Sequence, residues 1–412
     1  MFISRTLAWS MWLVAAVFYA YQYVLRVMPS IILPDIMLRF DIDAAMYGQF
    51  SGLYYIGYSL LHLPIGILLD RIGPRKVMTG CVFLAVLGLI PLGFSEYWLF
   101  ALIGRILIGI GSSGAILGLF KIIRLSFEEK HFTRMLSYAV TIGLIGAIYG
   151  GAPVKYLHDQ LGYEFVVQLF ILVGIILMIV SYTIIPDSLS ELNKQCESSR
   201  SSIKSDIKIV LSNRKVLTLC IFAGLMVGPL EGFADAWGAT FLKQVYEFDP
   251  VTASYLPSLI FTGMCFGAPV LSLMGEKTGN YLEVIIGAGA VMLITFLALL
   301  SETLSINVAT VGFLLIGVSC AYQILAIYKT TTYVPEHCIG LTTAIANMII
   351  MIFGYAFHTL IGFVVNLFGG VGISAACLFG VMVIPTGLCL GLVGFIYLYY
   401  QENRSYKLRL SL

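Results

Sequence analysis

Twelve apolar runs, separated by short polar intervals, dominate the chain: residues 8–28, 46–69, 76–94, 98–120, 135–154, 165–185, 216–241, 252–274, 281–300, 306–328, 340–364 and 373–400. Each is close to the ~20 residues that carry a helix across a hydrocarbon core. A run this long and apolar has no water to satisfy its backbone, so its N–H and C=O groups must pair within the segment, which predicts helix throughout. The longest polar stretch, Pro186 to Lys215, is rich in Ser, Lys and Glu and splits the runs six and six. The expected organisation is an all-α membrane protein with a six-helix bundle over 1–185, a cytoplasmic linker over 186–215, a second six-helix bundle over 216–400, and a cytoplasmic tail over 401–412.

Composition agrees. Of 412 residues 59% are hydrophobic and only 11% charged, with a mean hydropathy of +0.94, against roughly 25% charge in soluble domains. A net charge of +2, spread along the chain, gives no sign of a nucleic-acid partner, and none is expected. The eight cysteines form no C-x-x-C pair; most sit within apolar runs, where they act as small hydrophobes. The first run lacks a small-x-small cleavage site and is expected to remain as the first helix. Lysines and arginines collect on one side: of 24, only Arg39, Lys155 and Lys243 fall on the opposite face, and only Arg26 and Arg105 lie deep within spans. Positive charge retained in the cytoplasm therefore predicts both termini inside.

The loop between the second and third runs reads Gly66-Ile-Leu-Leu-Asp70-Arg71-Ile-Gly73-Pro-Arg75-Lys76. It resembles, at every position, the signature of the major facilitator superfamily: glycine, three residues, then Asp-Arg-x-Gly-x-Arg-Lys. A degenerate copy, Ser272-Leu-Met-Gly-Glu276-Lys277-Thr-Gly279, lies 206 residues later, and Lys329 follows Lys121 at an offset of 208. Two similar bundles rocking about a central site form the architecture of alternating access. The resemblance implies that this loop latches the outward-facing state, with Gly66 allowing a neighbouring helix to approach, Asp70 facing its positive end, and Arg71, Gly73 and Arg75 completing the motif. A purely topogenic role for the basic residues is the simpler reading, although it leaves Asp70 without one.

Charges inside spans point to function, because each costs about 2.5–3.5 kcal/mol at a helix centre unless paired or wet. Away from the span ends there are four: Arg26, Arg105, Glu231 and Asp235. Arg105 followed by Gly109, Gly111 and Gly114 resembles the superfamily's second motif, which implies coupling between states; pairing with helix-end carbonyls is the structural alternative. The glycines from Gly143 to Gly151 resemble its third motif, except that Ala147 stands where drug antiporters have proline, which disfavours an antiporter. Residues 19–76, with Arg26 near their start, resemble the organic-anion symporter branch. There, an arginine at this point binds the substrate carboxylate, for which a guanidinium fork is well shaped. Tyr19 and Gln22 share its helical face, Tyr58 belongs to the same matching stretch in the next helix, and snorkelling to head groups is the alternative. That branch carries acids where this chain has Leu25 and Ser112. Glu231, at an offset of 205 from Arg26 and within Gly228-Pro-Leu-Glu231-Gly, is expected to replace them, either contacting substrate or only gating. Asp235 is expected nearer the outer surface.

The expected function is proton-coupled uptake of a small carboxylate-bearing solute, whether amino acid, peptide or organic anion, by a monomer in a bacterial-type inner membrane. An uncoupled facilitator and an efflux antiporter stay open. No Gly-x-x-x-x-Gly-Lys-Ser/Thr occurs, so ATP is not expected to drive transport from this chain. His62 and His358 read as hydrogen-bonded packing residues, and no metal or cofactor is expected. The rival class is an intramembrane serine protease, with the Gly-x-Ser-Gly of Gly111-Ser112-Ser113-Gly114 supplying the nucleophile and His358 the base; two matching halves argue against it.

Overall fold

The computed structural model describes residues 4–128, 131–186 and 203–410. Its long helices are α1 (Arg5–Ile31), α2 (Ala44–Ile72), α3 (Pro74–Phe94), α4 (Trp98–Ser126), α5 (Phe132–Tyr149) and α6 (Ala152–Ile184), then α7 (Arg214–Val245), α8 (Pro250–Thr278), α9 (Tyr281–Leu299), α10 (Ile306–Thr331), α11 (Glu336–Leu367) and α12 (Ser374–Arg404). Eleven are long and apolar enough to cross a membrane. The other, α5, has 18 residues, about 27 Å at 1.5 Å per residue, which nearly matches a bilayer core. No strand occurs among the described residues.

The pairing of helices repeats. In the first half α1 packs on α5, α2 on α4, and α3 on α4 and α6; in the second, α7 packs on α11, α8 on α10, and α9 on α10 and α12. Each partnership recurs six helices later, so the degenerate loop repeat reflects two six-helix bundles of the same design. The bundles meet through α2 against α11, α5 against α8, and α1 against α7.

Small residues set these distances. A Cβ on Gly109 of α4 would overlap the Tyr54 carbonyl of α2, and one on Gly317 of α10 would overlap the Ile260 carbonyl of α8. The glycine spacing in the fourth span thus serves close backbone contact, the usual device of membrane helices.

Three elements depart from the apolar pattern. A short helix, Leu33–Phe40, follows α1. Lys155 to Tyr163, expected as loop, continues α6 as helix with a break at Gly162, whose φ of 82° requires glycine. The third is a π-helical turn, Phe233–Trp237, in the middle of α7. Most of the linker expected over 186–215, residues 187–202, lies outside the described residues; the rest contains a helix, Ile203–Ser212.

Candidate functional site

Pro29 lies inside α1 and has no N–H, so the Leu25 carbonyl one turn earlier loses its helical partner. Arg105 of α4 supplies the replacement. Its guanidinium donates to the carbonyls of Leu25 (2.7 Å), Arg26 (3.1 Å) and Ser51 (3.4 Å). It also lies over the rings of Tyr54 and Phe50 and is 1% exposed. The second-motif arginine therefore fastens α1 and α2 together where α1 is weakened.

That fixed backbone carries Arg26 toward α7. There, Pro229 and the π turn interrupt regular helix and present Glu231 and Asp235. Arg26 forms an ion pair with Glu231 through Nη2 and bonds Asp235 Oδ2 through Nε at 2.6 Å. Tyr55 of α2 donates to Glu231 Oε2 (2.7 Å) and also bonds Asp235. The rings of Tyr23 and Tyr55 lie against the guanidinium, with centroids 5.2 and 5.4 Å from its carbon. All three charged groups are buried; Asp235 is 0% exposed, and its Oδ1 has no hydrogen-bond partner. Asp235, expected nearer the outer surface than Glu231, is a full member of this buried cluster. One guanidinium has enough donors to engage two carboxylates a helical turn apart, and it draws both inward.

The surrounding shell is aromatic and half-polar. Tyr54 donates to Gln22 Oε1 at 2.6 Å and stacks on Tyr58. The Tyr19 and Tyr23 hydroxyls approach to 3.4 Å. Tyr19, Tyr23 and Tyr58 are half-buried, so Tyr19, Gln22, Tyr58, Arg26 and Glu231 surround one region between the bundles. The sequence did not single out Tyr55, and it assigned His358 to packing. Tyr55 nevertheless bridges both carboxylates, whereas His358 of α11 is, as expected, a buried hydrogen-bonded packing residue, bonding Ser51 of α2 at 3.1 Å across the bundle interface. The pairing of His358 with Ser112 or Ser113 that a protease needs is not formed: Ser113 donates to the Ile110 carbonyl.

The loop motif sits apart from this region. Asp70 Oδ1 is 2.8 Å from Lys121 Nζ at the end of α4, the Arg75 guanidinium carbon lies 4.1 Å from the Tyr182 ring centroid, and Gly73 has a φ of 92° that only glycine adopts easily. Arg71 is exposed. The nearest atom to a Cβ on Gly66 would be a Leu117 methyl at 3.9 Å, so in this conformation no helix backbone is pressed against that glycine.

The bundles touch at the helix ends remote from the chain termini. Asn366 donates to Asp43 (3.1 Å). Tyr47, anchored by its own bond to the Pro29 carbonyl (2.9 Å), packs edge-on against Trp237 (5.5 Å), and Gly151 lies against Ser258. The Arg26 cluster lies just beneath these contacts.

Comparison with known proteins places the chain. Residues 11–359 match the family model described as Major Facilitator Superfamily. Among curated proteins, an uncharacterized transporter of Rickettsia felis is 24% identical over 61% of this chain and 59% of its own length. Protein spinster homolog 1 of Xenopus laevis is 27% identical over 60% and 49%, and a quinolone resistance transporter of Acinetobacter baumannii 22% over 53% and 55%. The chain thus spans about half to three-fifths of these relatives. Among solved structures, a bacterial homolog of the human lysosomal transporter Spinster, in an inward-facing and unoccupied conformation, superposes with a TM-score of 0.72 at 16% identity, covering 96% of both chains. The nucleoside transporter NupG gives 0.78 at 14%, covering 94% of this chain and 99% of its own.

Proposed function

This chain belongs to the major facilitator superfamily, and we propose that it carries a small carboxylate-bearing solute, such as an amino acid, peptide or organic anion, by proton-coupled alternating access. It is a multi-pass membrane transporter and not an enzyme. On this reading residues 1–185 and 216–400 are the two moving bundles, joined by 186–215. The cytoplasmic termini predicted from the charge bias put the Asp43–Asn366 end of the molecule on the outer side, and the protein is a monomer of a bacterial-type inner membrane.

One observation carries the reading: a single buried guanidinium, at the junction of the two bundles, holds two carboxylates from the opposite bundle. While both are ionised the Arg26 charge is claimed by two carboxylates, and α1 is tied to α7. Protonating Glu231 removes one claim on the fork and leaves donors directed toward the half-polar region lined by Tyr19, Gln22 and Tyr58. A solute carboxylate can take that place, at the geometry guanidinium favours. Proton and anion therefore enter the same state, and coupling is a competition for one cation. Arg105 holds the α1 backbone during the exchange. The Gly66–Arg75 loop acts in the opposite conformation, where a helix end can reach Gly66 and Asp70.

Reconstituted vesicles test this. An imposed inward proton gradient is expected to drive the solute above its equilibrium level. Glu231→Gln is expected to abolish accumulation while retaining exchange; unchanged accumulation would remove Glu231 from coupling. The solute is sought by thermal shift with panels of carboxylates, amino acids and peptides, and Arg26→Ala is expected to erase the stabilisation. Proton-driven expulsion from the vesicles would instead establish efflux.

A further inference from the structure

At the end of the molecule that carries the chain termini, three potential metal ligands converge from two distant segments. Asp206 belongs to the helix Ile203–Ser212, while His337 and Cys338 form the short turn that opens α11. One donor atom from each lies within 4.8 Å of the other two.

Apolar packing and backbone capping hold the junction together. Val210, on the same helix as Asp206, is buried with Val216, Cys220, Cys338, Ile345 and Ala346 in an apolar cluster separate from the main core. Asn213, just past that helix, caps α7 through its side-chain oxygen and donates from Nδ2 to the Tyr333 carbonyl at 2.8 Å. Asp206 is mostly buried and Cys338 wholly so, whereas His337 is exposed and its ring is able to turn. Two ligands are thus preplaced, and the third can close over an ion.

The Asp206–His337 spacing suits a tetrahedral site, and a Cys338 donor atom lies within 4.8 Å of both. Bonds of about 2.0–2.2 Å to oxygen and nitrogen and about 2.3 Å to sulfur place tetrahedral ligand atoms about 3.3–3.6 Å apart. Asp206 Oδ1 and His337 Nε2 stand 3.7 Å apart, too far for a hydrogen bond and near that separation. Mixed oxygen, nitrogen and thiolate ligation favours zinc over calcium or magnesium, which take oxygen ligands. We propose that Asp206, His337 and Cys338 bind a zinc ion, with water in the fourth position, and that the ion fastens the helix Ile203–Ser212 to the mouth of the second bundle. The assignment is independent of the transported solute.

Cobalt(II) serves as the spectroscopic probe in the purified full-length protein. One equivalent is expected to give tetrahedral d–d absorption and a thiolate-to-cobalt charge-transfer band, both removed by adding zinc. Cys338→Ser is expected to eliminate the charge-transfer band. His337→Ala, at an exposed position that leaves the fold undisturbed, is expected to weaken zinc binding by more than about tenfold, since even outer-shell losses cost that much. Amide exchange across 203–212 is expected to slow on adding zinc to the wild type and not to Cys338→Ser. Absence of the thiolate band, its persistence in Cys338→Ser, or exchange indifferent to zinc would overturn the proposal.

Discussion

Arg26 is the residue on which both bundles depend, and its neighbours differ in what they can afford to lose. Removing one member of a buried ion pair costs about 3–5 kcal/mol when the partner charge is stranded. Arg26→Ala strands two carboxylates beside each other and Tyr55. Glu231→Gln leaves Arg26 with Asp235, and Asp235→Asn leaves it with Glu231. Thermal unfolding in detergent should therefore rank Arg26→Ala well below wild type, with the two neutralised acids between them; equal losses from Arg26→Ala and Glu231→Gln would deny that the guanidinium is shared. Arg26 and Glu231 were legible in the sequence because a charge in an apolar run demands a reason. Asp235 was underrated because its separation from Glu231 along the helix hid that one cation reaches both turns. Tyr55 was hidden among other aromatic residues, and nothing in its spacing distinguished a hydroxyl that meets two acids from a ring that meets lipid.

At the scale of the helix, proline and arginine are two halves of one device. Pro29 deprives the Leu25 carbonyl of its N–H, and Arg105 answers from another helix. Restoring the N–H should make part of that answer redundant. Arg105→Met orphans the buried Leu25 carbonyl and takes a second donor from the Arg26 and Ser51 carbonyls, and an unsatisfied buried group costs about 1–3 kcal/mol. In a Pro29→Ala background the Leu25 carbonyl regains a partner, so the same substitution should lower the melting temperature less. Additive losses in the double mutant would show that the two residues act separately. Most span ends were readable to within a few residues, because apolar length sets them; the sixth was not, its helix beginning at Ala152 and not at 165. The π turn of α7 was not, since glycine and proline announce a loosened helix without saying which hydrogen-bond pattern replaces it.

At the scale of the whole molecule, the two bundles are joined at one end through polar and aromatic contacts that must part if the solute is to leave there. The architecture was legible because the loop repeat and the even division of spans reflect duplicated packing, now seen in helix partnerships that recur six elements later. The conformation was not legible, because one sequence must support both states and its local pattern favours neither. Asp43 of the segment before α2 and Asn366 of α11 lie on opposite bundles within hydrogen-bonding distance. Cysteines at these two positions, joined by oxidation or a short cross-linker, should hold that end shut. Net transport should stop and return on reduction, while either single cysteine transports normally. The charge-based orientation makes a second expectation for the same protein: before cross-linking, the pair should react with a membrane-impermeant thiol reagent from outside right-side-out vesicles and not from within. Transport that continues in the cross-linked protein would mean that this end need not open, and the rocking of two rigid bundles would have to give way to a motion confined to fewer helices.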